Sequence, residues 1–406
     1  MPKQNVFYIL PHIDRIGELA NQMFVLRNLF PEQDNNLVII TFSPQAKPKT
    51  NLALFQVATR GLEVRTTVDE GLLWSCYNDQ NANDIIKSEQ GDIMVLLSCG
   101  QLRHRYYQEF TLRTPLYHFS LSDAEVEAGA ALRHSFGIPL QAKVITFHVR
   151  DGACFGAGGN DSYRNAHIIN YLPAISHLMD SGFHVVRLGD STMAPLPITH
   201  PQLHDAPHHP AYSPLVEPYF IASSSFFLGT PSGPLDIAHG FNVPALVTDA
   251  PIQSAIWGYD RDLFVFKKYY SEHLGRALSY GEVLMSPSLH YFRDRLFSES
   301  GISLVNNTAK EILAATVEMQ QRLAGEYPYL PEAERANRLR RNLENQCDIL
   351  RQHTVSEDSI PYTPMYPFSR CHAQISCEYA RLNPWFFGHR WPEVRSWGWE
   401  PELVAL

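Results

Sequence analysis

The sequence contains no long apolar run and few cysteines. No stretch of about 18 apolar residues occurs in its 406 residues, so we expect no membrane span. The apolar run after Met1–Asn5 is too short for a secretory signal. The six cysteines are irregularly spaced and form no CxxC pair. A cytoplasmic protein with free thiols fits this pattern better than a disulfide framework or a structural zinc site near Cys371 and Cys377.

Positive charge is also scarce. The chain has 42 acidic residues against 33 lysines and arginines, which gives a formal net charge of -9. A chain with this balance is not attracted as a whole to nucleic acid, and we expect at most a peripheral contact with a membrane. Any anionic ligand must therefore be held by local cations and backbone N–H groups. The composition indicates no oligomeric state.

Three familiar motifs are missing. The glycine-rich segment 153–160 does not match G-x-G-x-x-G, because Asp161 stands where the third glycine belongs, and no G-x-x-x-x-G-K-[ST] segment occurs. Residues 229–233 read G-x-x-S-G instead of the G-x-S-x-G of serine hydrolases. These absences argue against a nicotinamide oxidoreductase, a P-loop enzyme and an α/β-hydrolase. The 153–160 loop is instead expected to close over a ligand.

Short apolar runs alternate with helical patterns over most of the chain, as in α/β domains with parallel sheets. The expected strands are Val6–Leu10, Leu37–Phe42, Leu62–Thr66, Lys143–Val149, Phe183–Leu188, Ser225–Gly229 and Val243–Thr248. Helices are expected from Leu19 and over 52–58, 167–179 and 235–241, and 191–216 is expected to be loop. Capping boxes at Ser122–Glu125 and Thr308–Glu311 open two further helices, which are expected to end near Gly137 and Gly325.

The first polar cluster follows a buried strand. His148, Arg150 and Asp151 stand at its carboxyl end, where open α/β sheets bind their ligands. Arg150 has the geometry to give two hydrogen bonds to a phosphate. Asp151 is either a base or the ion-pair partner of Arg150, and the sequence leaves both open.

A second cluster lies between a buried strand and a helix. Residues 229–234 read GTPSGP, and such small residues let backbone N–H groups approach an anion. The helix N-terminus adds about half a positive charge. Thr230, Ser232 and Gly233 therefore form a candidate phosphate seat, with an ordinary tight turn as the alternative.

Three smaller groups complete the candidates. Gly17 and Glu18 lie at a loop-to-helix junction, where Glu18 is either a general base or a charge that offsets the helix dipole. Gly189 and Asp190 end another strand, and Asp190 is a candidate for sugar or ribose hydroxyls. In Asp161–Asn165, ligand contact and helix capping both remain open.

With these residues identified, the chain resembles a family of bacterial glycosyltransferases, mostly linked to surface-polysaccharide assembly. The resemblance covers about residues 5–320. The matching segments are RIGELA at 15–20, FHVRD at 147–151, DSYRNAHIINYLPAI at 161–175, VVRLGDSTMAPLP at 185–197, FFLGTPSGPLDIAHGFNVPALVTD at 226–249 and NTAKEILAATVEM at 307–319. The family usually has histidine where this chain has Glu18.

Two wider resemblances point the same way. His148-Val149-Arg150 is similar to the HxR motif of GT-B fucosyltransferases, and Ser232-Gly233-Pro234 is similar to the donor-side segment of heptosyltransferases. Both imply an α/β, GT-B-like fold in which two Rossmann-like domains face a cleft, with no essential metal and no cofactor beyond the nucleotide sugar. The expected division is an acceptor-side domain at 1–135, a nucleotide-sugar domain at 136–325, and a helical, aromatic-rich extension at 326–406 that packs back on the globule.

The resemblance implies transfer of a sugar from a nucleotide-diphosphate donor to a hydroxyl of a glycan, lipid-linked or small-molecule acceptor, with inversion. Arg150 is expected to act at the leaving diphosphate, and Asp151 or Glu18 as the base. Donor contacts are expected from Gly17, His148, Arg150, Tyr163, Arg164, Gly189, Asp190, Thr230, Ser232, Gly233 and Asp236. A sugar-nucleotide epimerase or hydrolase, and a non-catalytic nucleotide-sugar-binding protein, are the alternatives.

Overall fold

The computed structural model describes residues 3–78, 83–87, 89, 93–97, 102, 106, 117–152, 161–328, 337–338, 340–342, 344 and 373–387. The chain forms two compact units. One contains Met1–Gly156 and Ile175–Val247, and the other contains Ala157–Ala174 and Thr248–Leu406. The three-domain division expected from the sequence stays a prediction.

The first unit contains two α/β sheets. Its N-terminal sheet has the strands β1 (Gln4–Leu10), β2 (Asn35–Thr41), β3 (Glu63–Thr66), β4 (Asn83–Lys87) and β5 (Ile93–Leu97). They lie in the order β3-β2-β1-β5-β4, in which only β4 runs antiparallel to its neighbour. The helices of this part are α1 (Ile16–Leu29), α2 (Leu52–Thr59) and α3 (Glu70–Asn78).

The second sheet of this unit is parallel. Its strands are β6 (Val144–His148), β7 (His184–Arg187), β8 (Leu203–Asp205), β9 (Ser224–Gly229) and β10 (Ala245–Ala250), in the order β10-β9-β6-β7-β8. Its helices are α4 (Asp123–Ser135), α5 (Leu172–Asp180), α6 (Val216–Ala222) and α7 (Gly233–Gly240). Counted along the chain from β6, this is the 3-2-1-4-5 order of a doubly wound sheet, so the predicted α/β class is confirmed.

Local sequence accounts for several helix ends. Ser122 and Glu125 form the predicted capping box, and Gly137 follows α4 with a φ of 69°. The predicted helix over 167–179 is wrong in its first turn, because residues 168–171 form a 3₁₀ turn and α5 begins only at Leu172. Pro173 explains the difference, since a residue without an N–H fits the first turn of an α-helix and breaks its interior. The predicted loop over 191–216 is also partly wrong, since it contains β8.

The second unit is built differently. Its strands are β11 (Leu263–Phe266), β12 (Lys268–Ser271), β13 (Arg276–Ala277), β14 (Ile302–Val305) and β15 (Gln374–Ile375). An antiparallel sheet has the order β13-β12-β14, and β11 pairs in parallel with β15. The helices are α8 (Tyr280–Leu284), α9 (Asp294–Glu299), α10 (Ala309–Ala324) and α11 (Cys377–Leu382). Thr308 and Glu311 form the predicted capping box, and Gly325 ends α10 with a φ of 72°.

Two buried carboxylates of α10, Glu311 and Glu318, hold the segment 373–387, and Glu311 accepts a hydrogen bond from the Asn383 amide (2.6 Å). Glu318 accepts hydrogen bonds from the Ser376 hydroxyl (2.6 Å), the Glu378 N–H (3.0 Å) and the Arg322 guanidinium (2.8 Å). Cys377 in this segment is a free thiol, and burial raises its pKa to about 12. Most of the helical, aromatic-rich extension expected at 326–406 lies outside the described residues. Within those residues, no helix has both the length and the apolar character needed to cross a bilayer.

Two glycines bring α1 and α7 into contact within the first unit. A Cβ built on Gly17 would lie 2.8 Å from the Cα of Gly233, and one on Gly233 would lie 2.6 Å from Ile16 Cγ1. These separations are shorter than van der Waals contact, so only glycine lets the two helix N-termini approach this closely.

We expect Gly17→Ala to destabilise the protein by about 1–3 kcal/mol through overpacking, although alanine is otherwise the better helix former. Gly71→Ala is the matched control, since this helical glycine faces only the Asp69 side chain, at 3.2 Å. Urea unfolding of both variants checks the expectation. Equal stability of the two variants would show that the α1–α7 approach does not need glycine.

Candidate functional site

The candidate site lies at the carboxyl ends of the strands in the parallel sheet of the first unit. Successive strands run outward in one direction from β6 to β7 and β8, and in the other direction from β9 to β10. The strand order therefore reverses between β6 and β9. Doubly wound sheets bind ligands at such a switch point, beyond the carboxyl ends of the strands. Arg150 follows β6 here, and Thr230 follows β9.

The two strand ends are joined directly. The Thr230 N–H donates to the His148 carbonyl (3.1 Å), and the Arg150 N–H donates to the Thr230 hydroxyl (3.1 Å). A Cβ on Gly229 would lie 2.2 Å from the same His148 carbonyl oxygen, so this position requires glycine. Thr230 is fully buried and Arg150 is 8% exposed. The two clusters that the sequence placed at separate strand ends are therefore neighbours.

His148 is neutral and fixed in orientation. Its Nδ1–H donates to the Leu188 carbonyl at 2.9 Å, since a carbonyl can only accept. Burial lowers the pKa of the imidazole, and the charges of Arg187 and Arg150 lower it further. Arg187 donates to the Ala194 carbonyl (2.7 Å) and to Asp205 (3.2 Å).

The N-terminus of α7 has no side-chain cap. Ser232 is its N-cap residue, but its hydroxyl donates to the Thr230 carbonyl (3.1 Å) instead of accepting from the first turn. Asp236 in that turn accepts a hydrogen bond from the Asn21 amide on α1 (3.0 Å). Its other carboxylate oxygen lies 2.9 Å from where a Cβ on Gly17 would stand. Asp236 thus joins α7 to α1.

Of the two candidate bases, Glu18 is half-buried in the first turn of α1, where it accepts a hydrogen bond from the Gln22 amide (3.2 Å). Gln22 in turn accepts from the Tyr8 hydroxyl (2.6 Å). Asp151 is exposed, directly after the Arg150 strand end. The glycine-rich loop 153–160 lies outside the described residues.

Asp190 lies in a tight turn at the end of β7. Gly189 precedes it with a φ of 144°, and a Cβ there would lie 2.2 Å from the sulfur of Met193. The Asp190 carboxylate accepts the Thr192 N–H at 2.8 Å. The carboxylate is exposed, as a contact to ligand hydroxyls requires.

Tyr163 and Arg164 belong to the second unit. Asp161 is the N-cap residue of their 3₁₀ turn and Asn165 follows its other end, but the Asp161 side chain does not cap the turn. Instead, the Asp294 carboxylate accepts the N–H groups of Ser162 and Tyr163, both at 2.7 Å. Arg164 pairs with Asp161 at 3.0 Å. The structure therefore gives these residues partners inside their own unit.

Sequence reasoning missed Glu217, a buried carboxyl near Asp190. It is 3% exposed on α6, and it accepts hydrogen bonds from the Tyr212 hydroxyl (2.9 Å) and the Asn51 amide (3.3 Å). Burial raises its pKa to about 7, and the charge of Asp190 adds to the shift. A single carboxylate inside the apolar run Leu215–Ile221 is the signal that could have revealed it.

Among the described residues, no group of three or more histidine, cysteine, aspartate or glutamate side chains is arranged to hold a metal ion.

No family model and no curated protein matches the chain. Among solved structures it is similar to E. coli ADP-heptose LPS heptosyltransferase II, with 14% identity, a TM-score of 0.33, and coverage of 61% of this chain and 84% of that one. It is also similar to a family 9 glycosyl transferase from Veillonella parvula, with 12% identity, a TM-score of 0.36, and coverage of 65% of this chain and 86% of that one. A third similar structure is that of the dodecameric iron-containing heptosyltransferase TibC in complex with ADP-D-beta-D-heptose, with 11% identity, a TM-score of 0.37, and coverage of 79% of this chain and 77% of that one. Because these scores are low, the function is inferred from the residues of this chain.

The raised pKa of Glu217 predicts how stability depends on pH. Folding raises this pKa from 4.5 to about 7, so the folded state holds the proton more tightly than the unfolded state does. The stabilisation is complete below about pH 4.5 and is lost as the pH rises through 7. We expect the wild type to lose about 3 kcal/mol over this range relative to Glu217→Gln.

Urea unfolding at pH 4 and pH 8 measures that difference. Glu127→Gln, at an exposed position of α4, is the control and should follow the wild type. A wild type and a Glu217→Gln variant with parallel pH profiles would show that the carboxyl titrates normally.

Proposed function

We propose that this chain is a GT-B-type glycosyltransferase that moves a sugar from a nucleotide-diphosphate donor to a hydroxyl acceptor. The observation that carries the proposal is the direct bonding of the Arg150 and Thr230 strand ends at the switch point of a doubly wound sheet. The HVR and TPSGP segments that resemble glycosyltransferases are the two segments that meet there. Surface polysaccharide or other glycoconjugate biosynthesis in the cytoplasm is the setting that the sequence resemblance implies.

The donor diphosphate is placed at this switch point by charge and by backbone groups. The Arg150 guanidinium supplies a full positive charge and a fork of donors that matches phosphate oxygens. The N-terminus of α7 supplies backbone N–H groups beside Ser232 and Gly233, while Asp236 in the same turn offsets the positive charge of this helix end. His148, held neutral, can hydrogen-bond the donor without adding charge. Gly17, Gly189, Asp190 and Asp236 complete the proposed donor contacts in the first unit, and the donor contacts expected of Tyr163 and Arg164 stay a prediction.

Transfer then proceeds by displacement at the anomeric carbon. The acceptor oxygen forms a bond to that carbon as the bond to the donor phosphate oxygen breaks, and the electron pair leaves with the nucleoside diphosphate. Arg150 stabilises the negative charge that develops on the leaving group. Since cationic groups of the chain itself meet this charge, the proposed reaction needs no metal ion.

The acceptor proton passes to a carboxylate. Asp151 is exposed next to the proposed diphosphate seat, whereas Glu18 is half-buried and hydrogen-bonded to Gln22. An exposed carboxylate reaches an incoming hydroxyl more readily, so Asp151 is the proposed base. Attack opposite the leaving group inverts the anomeric configuration.

Removing the guanidinium tests the site. Arg150→Ala should lower nucleoside-diphosphate release from the donor by about 100-fold or more, because it removes a preorganised stabiliser of the leaving group. Arg65→Ala is the control, since Arg65 is an exposed arginine of the N-terminal sheet paired with Glu63. Wild-type turnover by Arg150→Ala would remove the residue from the mechanism. Release from the donor alone, without an acceptor, would instead indicate an epimerase or a hydrolase.

Two isosteric variants separate the candidate bases. The base variant, Asp151→Asn, should lose about 100- to 10,000-fold in kcat while keeping its donor Kd, because general-base catalysis acts on the acceptor. Glu18→Gln should keep most of its rate. The measurements are single-turnover transfer and calorimetric donor binding, and the opposite result would assign the base to Glu18.

A further inference from the structure

Tyr212 has an unusual orientation for a tyrosine at the protein surface. Its hydroxyl reaches inward to the buried carboxyl of Glu217 at 2.9 Å, while the residue remains 41% exposed. Surface tyrosines commonly bury the ring and leave the hydroxyl in water. Tyr212 holds the polar end inside and presents ring surface outside, which suits a flat ligand.

The loop that carries Tyr212 is fixed at several points. The Tyr212 N–H donates to the His209 carbonyl (2.9 Å), and the His209 ring stacks on Phe136 with centroids 3.9 Å apart. From the other side, the Asn51 amide donates to Glu217 at 3.3 Å. The ring is therefore held in place before any ligand arrives, which lowers the entropy cost of stacking on it.

The Tyr212 loop is bonded to the turn that carries Asp190. The His208 Nε2–H donates to the Met193 carbonyl at 2.8 Å, and Met193 lies three residues after Asp190. The same Asp190 charge acts on the side chains of both Tyr212 and Glu217. An exposed aromatic ring and an exposed carboxylate thus lie near each other at the carboxyl edge of the sheet that also carries Arg150.

We propose that Tyr212 and Asp190 form the nucleoside subsite of the donor, with the base stacked on the Tyr212 ring and the ribose hydroxyls donating to Asp190. The inference rests on the proposed function, since it assigns the nucleoside end of the same donor whose diphosphate is placed at Arg150. Glu217 is a positioning residue that acts through Tyr212. Stacking tolerates every base, so specificity for one base is not implied by the ring.

Calorimetric titration of the full chain tests the subsite. The probes are UDP, GDP, ADP and CDP, with inorganic pyrophosphate as the ligand that has no nucleoside. Tyr212→Ala should weaken binding of the best nucleoside diphosphate about tenfold or more and leave pyrophosphate binding unchanged. Tyr212→Phe keeps the ring but loses the hydrogen bond to Glu217, so it should weaken binding to the same extent as Glu217→Gln and less than Tyr212→Ala. Tyr270→Ala is the matched control, because Tyr270 is 37% exposed on β12, outside the proposed site.

Each outcome of this titration has one meaning. If the wild type binds a nucleoside diphosphate and Tyr212→Ala binds it equally well, the subsite is wrong and the proposed function stands. If Tyr212→Ala weakens pyrophosphate to the same extent, the effect is not on the nucleoside and the subsite is again wrong. If the wild type binds none of the four nucleotides, the proposed function fails and the subsite fails with it.

The ribose contact has its own test. Asp190→Asn should reduce the preference for the ribonucleoside diphosphate over its 2′-deoxy form, because an amide is a weaker acceptor than a carboxylate. An unchanged preference would remove Asp190 from the subsite. Thermal unfolding of the same samples shows whether each variant is folded.

Glu217 is tested by a double-mutant cycle. Glu217→Gln should weaken nucleoside diphosphate binding without affecting pyrophosphate, and it should have no further effect on binding once Tyr212 is alanine. A purely structural role would instead give equal losses in both backgrounds, and that result would overturn the assignment of Glu217 as a positioning residue.

Discussion

The close approach of β6 and β9 is the constraint on which the candidate site depends. A Cβ on Gly229 would lie 2.2 Å from the His148 carbonyl oxygen, so the two strands run this near only with glycine at that position. The same approach lets Thr230 and Arg150 bond across the reversal of strand order. Sheet topology, more than the sequence of either loop, thus places the Arg150 backbone beside a serine- and glycine-rich turn.

The contact between α1 and α7 raises an electrostatic problem that Asp236 resolves. Two helix N-termini in contact repel each other, because each carries about half a positive charge. The Asp236 carboxylate lies in the first turn of α7, accepts a hydrogen bond from Asn21 on α1, and reaches Gly17. Its negative charge therefore stabilises both helix ends. The donor contact that the resemblance assigned to Asp236 remains a prediction, and the structure gives this carboxylate a separate role in holding the two helices together.

Features with local causes could be predicted from the sequence. Ser122 and Glu125, like Thr308 and Glu311, lie three residues apart, so their capping boxes are visible in the chain itself. The polar ends of β6 and β9 could be located for the same reason, and their adjacency follows once the sheet is doubly wound.

The Asp294 carboxylate that holds the 162–164 turn could not be predicted, since it lies 132 residues from Ser162. Glu217 depends on Asn51, 166 residues away. Long-range polar pairs leave no periodic pattern in the sequence, because each pair consists of only two residues that lie far apart along the chain.

The buried carboxyl of Glu217 lowers the stability of the protein near neutral pH. Replacing such a group by an apolar side chain of similar volume often costs the protein no stability. What the carboxyl provides is therefore geometric. Its two oxygens join the Asn51 amide at the start of α2 to the Tyr212 hydroxyl in the loop before α6. No apolar residue could hold a phenol hydroxyl inside the protein while its ring stays exposed. A carboxyl retained at such a cost is best explained by the orientation of the ring that it fixes, and a ring in that orientation beside Asp190 is suited to a flat, hydroxylated ligand such as a nucleoside.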